Sequence, residues 1–503
     1  MRPNVSSTHW SPVSTDGPDA GLLRASRVAV AGSFAFLVAV WIARPWVAGD
    51  TPFVLDGSNA FITCLSHHDH NACGYTGKLN YWGLMSPIGD WPLLQHVPDL
   101  IAVELGVNGH PDRTRILATL SVVGVIVSVG LGWKVLTRFG RAPWFWGLMF
   151  VVLSGPILSY ARTTQGEMLA MGLLVGLVAA SLLQAPPAVV AIAAFAACWT
   201  KETAYPFVAA LGLLGLVLSR RRTGRPMGRH IVWGAAGMAV GIVIASLFNI
   251  VRFGSVVNKN YLASQLHTPG IARKLEYAAA VLVSPSGGMF VFWPAASVLV
   301  LAVCLLPFVH RSRLELDVRP AVVLIAVIVA LTLGFASWWT PFGWAGWGPR
   351  LALPWVLPVL LIGLVAYGER LGALALRVLV PSWRLVAVWA VVLVLTLPAV
   401  GYMWRPETIG AFFMHRKPVC VQPWRGAVAK WHACQSGQMW SDRPMPLYAL
   451  SGLDSAGAVS TSIAVATGLL GCLILLRGEL RLASESAAAA RPAGPGAFHP
   501  RPR

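Results

Sequence analysis

The sequence is short of charge: only 12% of its 503 residues are Asp, Glu, Lys or Arg, and 20 of them are acidic. A chain so poor in charge cannot cover an ordinary soluble surface, where charged residues make up about a quarter of the total. Lysine is scarce, and the basic residues are mostly arginine. The alternating pattern of a transmembrane barrel is missing, which leaves helices as the spanning elements. Walker motifs are missing too, which argues against nucleotide-driven transport. No internal repeat is visible, and that weighs against a transporter built from inverted repeats. The first 24 residues lack the basic-then-apolar pattern of a secretory signal. The first apolar run is therefore expected to stay as an anchor, with residues 1–27 in the cytoplasm.

What is present is apolar sequence, 56% of the chain. Runs such as "VAVAGSFAFLVAVWIARPWVA" and "AVVLIAVIVALTLGFA" approach the roughly 20 residues that cross a hydrocarbon core. The reading is an all-α integral membrane protein with about twelve spans, near 28–48, 115–136, 143–160, 167–184, 187–200, 204–219, 231–251, 286–308, 319–337, 351–368, 384–403 and 457–476. The fifth and sixth are short and separated by "TKET", so a re-entrant hairpin or one kinked helix stands as an alternative. Together they form one polytopic unit over 28–482, with outer loops at 49–114 and 404–456. The tail 483–503 is Ala/Pro-rich and expected to be disordered.

The net charge of +19 comes from arginine clusters between apolar runs, not from a basic stripe interleaved with aromatics. A nucleic-acid partner is not expected; the lipid bilayer is. With twelve spans, the clusters at 138/141, 220–229, 311–319, 370–384 and 477–481 all fall on one side. The positive-inside rule makes that side and both termini cytoplasmic. Cys64 and Cys73 then lie in the first outer loop and Cys420 and Cys434 in the last, where an oxidising compartment permits Cys64–Cys73 and Cys420–Cys434 disulfides. Cys198, Cys304 and Cys472 sit in apolar runs and read as packing residues. "SHHDHNACGY" gathers histidines and an aspartate at 67–70, but without the spacing of a structural zinc site, and reads as a solvated loop.

The ionisable residues of the outer half form a group. Asp50 and Asp56 follow the first span in "AGDTPFVLDGSNAF"; Arg162 and Glu167 flank a turn in "SYARTTQGEML"; Lys201 lies in "CWTKETAYP"; Arg252 ends span seven; Arg350 begins span ten. Cations beside carboxylates at a membrane face suit a phosphate-bearing ligand. These strings, with "GKLNYWGLMSPIGDWPLLQHVPDLIAVELGV", "NIVRFGS", "LVSPSGGMFVFWP" and above all "WWTPFGWAGWGPRLALP", resemble the polytopic GT-C glycosyltransferases that use polyprenyl-phosphate sugars. The resemblance implies a GT-C-like helical bundle whose outer loops carry the active site.

It also implies an inverting transfer from a polyprenyl-phosphate donor to a cell-envelope glycan or glycolipid acceptor. Asp56, or failing that Asp50, would be the general base. Lys201, Arg252 and Arg350 would neutralise the leaving phosphate, with Arg162, Glu167, Trp344 and Trp347 completing the donor site. Some members of the family need a divalent cation and others do not; Glu167 and Asp56 are the carboxylates that would share one. Read without the resemblance, Asp56 caps an Asp-Gly turn, and Arg350 is a snorkelling arginine in an interfacial aromatic belt. Alanine-, valine- and arginine-rich usage suggests a high-GC bacterial source and its inner membrane, with an arabinofuranose or mannose donor. A transporter or flippase of a lipid-linked or small polar substrate is the alternative, and it would hold its charges near mid-membrane.

Overall fold

The computed structural model describes residues 18–43, 51–67, 74–79, 84–89, 92–164, 166–285, 287–309, 317–342, 350–378, 390, 420, 426, 428–441 and 456–489. Every regular element among them is helical, apart from isolated bridge residues such as the pair His267 and Trp338. Among the described residues, seven helical stretches are long and apolar enough to cross a membrane: 20–40, 110–138, 202–223, 228–253, 319–336, 350–378 and 459–487. Shorter apolar helices stand at four further expected positions, 144–153, 167–182, 187–198 and 294–309. The expected span at 384–403 lies outside the described residues. The protein is an all-α, multi-span membrane protein.

In chain order the helices are α1 (Pro18–Ala43), α2 (Thr51–His67), α3 (Leu93–Glu104), α4 (His110–Arg138), α5 (Trp144–Leu153), α6 (Ile157–Ala161) and α7 (Glu167–Leu182). Then come α8 (Pro187–Cys198), α9 (Tyr205–Thr223), α10 (Gly228–Phe253), α11 (Lys259–Leu262), α12 (Ile271–Val283), α13 (Met289–Phe292) and α14 (Pro294–Val309). Last are α15 (Arg319–Ala336), α16 (Leu353–Val378), α17 (Val428–Ser441) and α18 (Ala456–Ala489). Spans five and six are separate helices, α8 and α9, joined through an extended Lys201 and a short 3-10 turn, Glu202–Ala204.

Helix α7, "EMLAMGLLVGLVAASL", is apolar on all sides and is buried against α4, α8, α9 and α16. An all-round apolar helix belongs at the centre of a bundle. Its backbone touches that of α4: a Cβ on Gly124 would stand 2.3 Å from the Met168 carbonyl oxygen. Small residues permit such crossings where lipid gives no hydrophobic drive between helices. By contrast, α10 turns Val232, Trp233, Val240, Val243 and Leu247 outward, as a hydrocarbon solvent allows.

Span three is broken at Ser154-Gly155-Pro156. Pro156 has no N–H to donate, and the Trp293 indole enters the gap, its ring atoms 2.0–2.4 Å from where a Gly155 Cβ would be. The indole N–H donates to the Val151 carbonyl at 2.9 Å, so the break leaves that carbonyl satisfied in a medium without water. Trp293 in turn divides α13 from α14, which opens on Pro294.

Three expectations are corrected, and one element is added. Helix α1 begins at Pro18, ahead of the expected 28, because it lies along α18 and Arg27 pairs with Glu479 at 3.0 Å. Helix α18 continues to Ala489 through residues expected to be disordered; alanine is the strongest helix former, and Arg481 bonds Glu485 one turn on at 2.8 Å. Residues 51–67, expected as loop, form α2. The stretch between spans seven and eight contains α12, which buries Tyr277, Ala280 and Val281 and exposes Ile271 and Leu275.

The two ends of the bundle differ. At one end Arg141 meets Glu369 at 3.0 Å, Arg221 meets Asp317, and Arg222 lies over the Phe139 ring. This end gathers three of the arginine clusters that the sequence placed on one side. The opposite end holds the polar residues described next.

Candidate active site

Helix α3 organises the polar end. Its Leu94 amide donates to the Trp199 carbonyl at 3.4 Å. Gln95 packs on Gly166, which has φ +70° and where a Cβ would stand 2.6 Å from Gln95 Nε2. His96 Nδ1 is 3.0 Å from Ser58 Oγ of α2. Asp99 receives Arg113 of α4, Nε to Oδ1 at 2.7 Å. Consecutive residues of one helix thus reach the Asp56 helix on one side and the Glu167 turn on the other.

Asp56 stands exposed on α2, with no hydrogen-bond or ion-pair partner among the described residues. The helix beneath it is fixed at three points. Arg113 donates to the Leu55 carbonyl at 3.1 Å and to Asn59 Oδ1 at 3.0 Å. Ser58 meets His96. At Gly57, a Cβ would lie 2.4 Å from the Ile88 carbonyl oxygen. The Asp-Gly pair is therefore not a turn signal; the glycine admits the 84–89 segment, and the aspartate faces away from it. Asp50 lies outside the described residues.

Arg350 and Glu167 are brought together across 183 residues, Nε to Oε1 at 2.5 Å, both largely buried. Glu167 opens α7, where a carboxylate also meets the positive end of the helix dipole. Arg252, 1% exposed, pairs with Glu202 at 2.8 Å, bonds Asn249 and reaches the Gly89 carbonyl at 3.2 Å. Its guanidinium also lies over Phe248 and Phe253. Arg252 is thus held by protein groups and ties the 84–89 segment, hence Gly57, to the Glu202 turn. Lys201 projects over the Tyr261 ring, 5.7 Å from its centre. It lines a narrow crevice with Pro92, Leu93, Trp199 and Phe248, about 10 Å³ in volume, room for one water. The Trp199 indole N–H in that crevice has no hydrogen-bond partner among the described residues. Arg162 is buried directly after α6.

The tryptophan-rich string is anchored at both ends. The Trp339 amide donates to the Leu266 carbonyl at 2.8 Å, and Trp431 of α17 donates to the Trp339 carbonyl at 3.1 Å. Trp344 and Trp347, between these anchors and Arg350, lie outside the described residues. Cys420 and Cys434 are bonded, which fastens α17 to the segment before it. Cys64 is also in a disulfide; Cys73, its expected partner, lies outside the described residues. Cys198, Cys304 and Cys472 are buried free thiols, in keeping with packing roles.

Sequence reasoning missed Asp99, Arg113, His96, Ser58 and Asn59. The available signal was a charge in each of two amphipathic stretches, Asp99 among apolar neighbours in "HVPDLIAVE" and Arg113 in "HPDRTRIL". Asp99 and Arg113 are 0% and 2% exposed, and a buried charge needs a partner. Burial and the Arg252 charge push the His96 imidazole down to about 3, so it is neutral at physiological pH. Among the described residues no three His, Cys, Asp or Glu side chains gather as a metal site would require.

The chain is similar to two crystal structures of ArnT from Cupriavidus metallidurans, one bound to undecaprenyl phosphate and one in the apo state. Identity is 16% in both, with 92% of this chain covered. The shares of the other chain are 79% and 78%, and the TM-scores 0.43 and 0.45. No family model and no curated protein matches the chain.

The arrangement itself limits the chemistry. One exposed carboxylate stands on a clamped helix at the same end as three buried arginines, Arg113, Arg252 and Arg350, each paired with a carboxylate, and Lys201 over a ring face. Such a site can take a proton at Asp56 and hold negative charge near Arg350 and Lys201.

Proposed function

We propose that the protein is a membrane-embedded inverting glycosyltransferase that moves a sugar from a polyprenyl-phosphate donor to a cell-envelope acceptor on the outer face of a bacterial inner membrane. The observation that carries this reading is the placement of Asp56 and the Glu167–Arg350 pair on two sides of one turn of α3, through His96 and Gln95. The motif resemblance supports it independently. In the reaction, an acceptor hydroxyl attacks the anomeric carbon as its proton passes to Asp56. The anomeric C–O bond to phosphate breaks on the opposite face, and polyprenyl phosphate leaves with the electron pair.

Phosphate is a good leaving group, so the cations serve mainly to neutralise it. Arg350, oriented by Glu167, offers a planar fork, and Lys201 a point charge. Arg252 acts from behind, by holding Glu202 and the 84–89 segment. Arg162 and Glu167 complete the donor side, and arabinofuranose or mannose is the sugar expected from the resemblance. A transporter would place charge at mid-membrane. The buried arginines among the described residues, Arg113, Arg162, Arg252 and Arg350, stand at helix ends instead, and the buried Asp99 lies on the short helix α3 and pairs with Arg113.

The test is transfer from a panel of polyprenyl-phosphate sugars by purified protein. Asp56→Asn should lower transfer by roughly 10²–10⁴-fold with donor binding unchanged, as loss of a general base requires. Asp50→Asn is the matched control. Full transfer by both single variants and the double variant would remove the base from this segment, and no transfer from any donor by wild type would remove the reaction.

A further inference from the structure

A second cleft opens at the opposite end of the bundle, away from every residue assigned above. It is about 330 Å³ in volume and is lined by Arg138, Gln184, Ser219, Arg222, Thr223 and Arg225, with Phe139, Leu182 and Leu183 as an apolar side. The neighbouring arginines at this end are neutralised: Arg141 by Glu369 and Arg221 by Asp317. Arg138, Arg222 and Arg225 have no carboxylate partner among the described residues; Arg222 has only the Phe139 ring beneath it.

Two further groups of the cleft point to the same ligand class. Ser219 is 1% exposed, and its hydroxyl has no hydrogen-bond partner among the described residues. Gln184 Nε2 is likewise buried and unpartnered. Gln184 is also the one non-glycine residue with positive φ among the described residues, 46°, just past the end of α7. Its amide oxygen lies 3.3 Å from the Thr223 hydroxyl. Three guanidiniums, a hydroxyl and an amide nitrogen therefore share a cleft in which the unsatisfied groups are all able to donate. Buried donors without acceptors are rare in folded proteins and call for an explanation.

We propose that this cleft binds the phosphate of an anionic phospholipid from the leaflet at the arginine-rich end, with Arg138, Arg222 and Arg225 on the phosphate and Ser219 and Gln184 completing its hydrogen bonds. A phosphate offers several acceptor oxygens to a planar fork. The apolar side at Phe139, Leu182 and Leu183 suits the glycerol and acyl portion of a lipid rather than a hydrated free ion. The cleft lies at the ends of α4, α7 and α9, where helices that span a bilayer meet the headgroups.

The experiment uses the full chain in detergent, titrated with phosphatidylglycerol, phosphatidylcholine or inorganic phosphate, with thermal unfolding and native mass spectrometry as readouts. Phosphatidylglycerol should raise the unfolding temperature and remain bound, and phosphatidylcholine should not. Arg222→Gln and Arg225→Gln should each weaken phosphatidylglycerol binding by roughly five-fold, the share of one juxtamembrane arginine. Ser219→Ala should weaken it without any change of charge. Arg220→Gln, on the same helix end but outside the cleft, should leave it unchanged. Equal losses in Arg220→Gln and Arg222→Gln would mean diffuse charge attraction and overturn the site, as would binding unaffected by Ser219→Ala. Protection by inorganic phosphate alone, as strong as by the lipid, would overturn the lipid assignment.

Discussion

At the scale of single residues, the site is built from pairs that the chain holds far apart. Arg350 is legible from its place after "GWGP", but its partner is not, because nothing in a linear sequence ties residue 350 to residue 167. Arg350→Lys keeps the charge and loses the planar fork. Donor affinity should fall about ten-fold or more while the thermal unfolding temperature changes little, which a binding isotherm with a radiolabelled donor would measure; unaltered binding would remove the role. His96 makes a different demand. Its ordinary value of 6.5 is pushed down to about 3, so below about 6.5 the unfolded chain takes up a proton that the folded chain refuses. Stability should therefore be level above that pH and fall as pH drops from about 6.5 toward 3, by at most about 1.4 kcal/mol per pH unit for this one site. Melting curves of wild type and His96→Gln across that range check it: the variant, which can still bond Ser58, should lose that part of the slope.

At the scale of elements, apolar runs announced the long helices because a membrane span must satisfy its own backbone. The short elements α2 and α12 were not legible for the same reason: they owe their form to contacts with distant parts of the chain, whereas α3 falls within the string whose resemblance is to an amphipathic outer-loop helix. Asp56-Gly57 shows this most plainly. Read locally it is a turn; in the fold Gly57 is the point where α2 meets the Ile88 backbone, and that contact requires the absence of a side chain. Gly57→Val should push α2 off the 84–89 segment. Transfer should drop at least ten-fold while Cys420–Cys434 and the bundle remain intact, measurable as activity loss against an unchanged gel-filtration profile. Retained activity would mean that α2 is not the element that positions the base.

For the molecule as a whole, charge asymmetry was the most legible feature, since arginines in linking segments are sorted by side during insertion. The two ends it separates are distinct in the fold: three paired arginines at the polar end, and Arg138, Arg141, Arg221 and Arg222 together at the other. Single cysteines introduced at 56 and at 222 in a chain otherwise stripped of reactive thiols should label from opposite sides of intact cells, 56 from outside and 222 only after permeabilisation. Labelling of 222 from outside would invert the topology. A different consequence follows from the indole that closes the gap in span three. Val151 and Trp293 are 142 residues apart in the chain. At a synthesis rate of about 5–20 residues per second, the Val151 carbonyl, to which the nearby Ser154 hydroxyl also donates at 3.3 Å, emerges roughly 7–28 s before the indole that fills the break. Span three must therefore wait, without its indole donor, until 142 further residues have followed it. The packing that closes its break is completed by a residue not yet made when it first arrives.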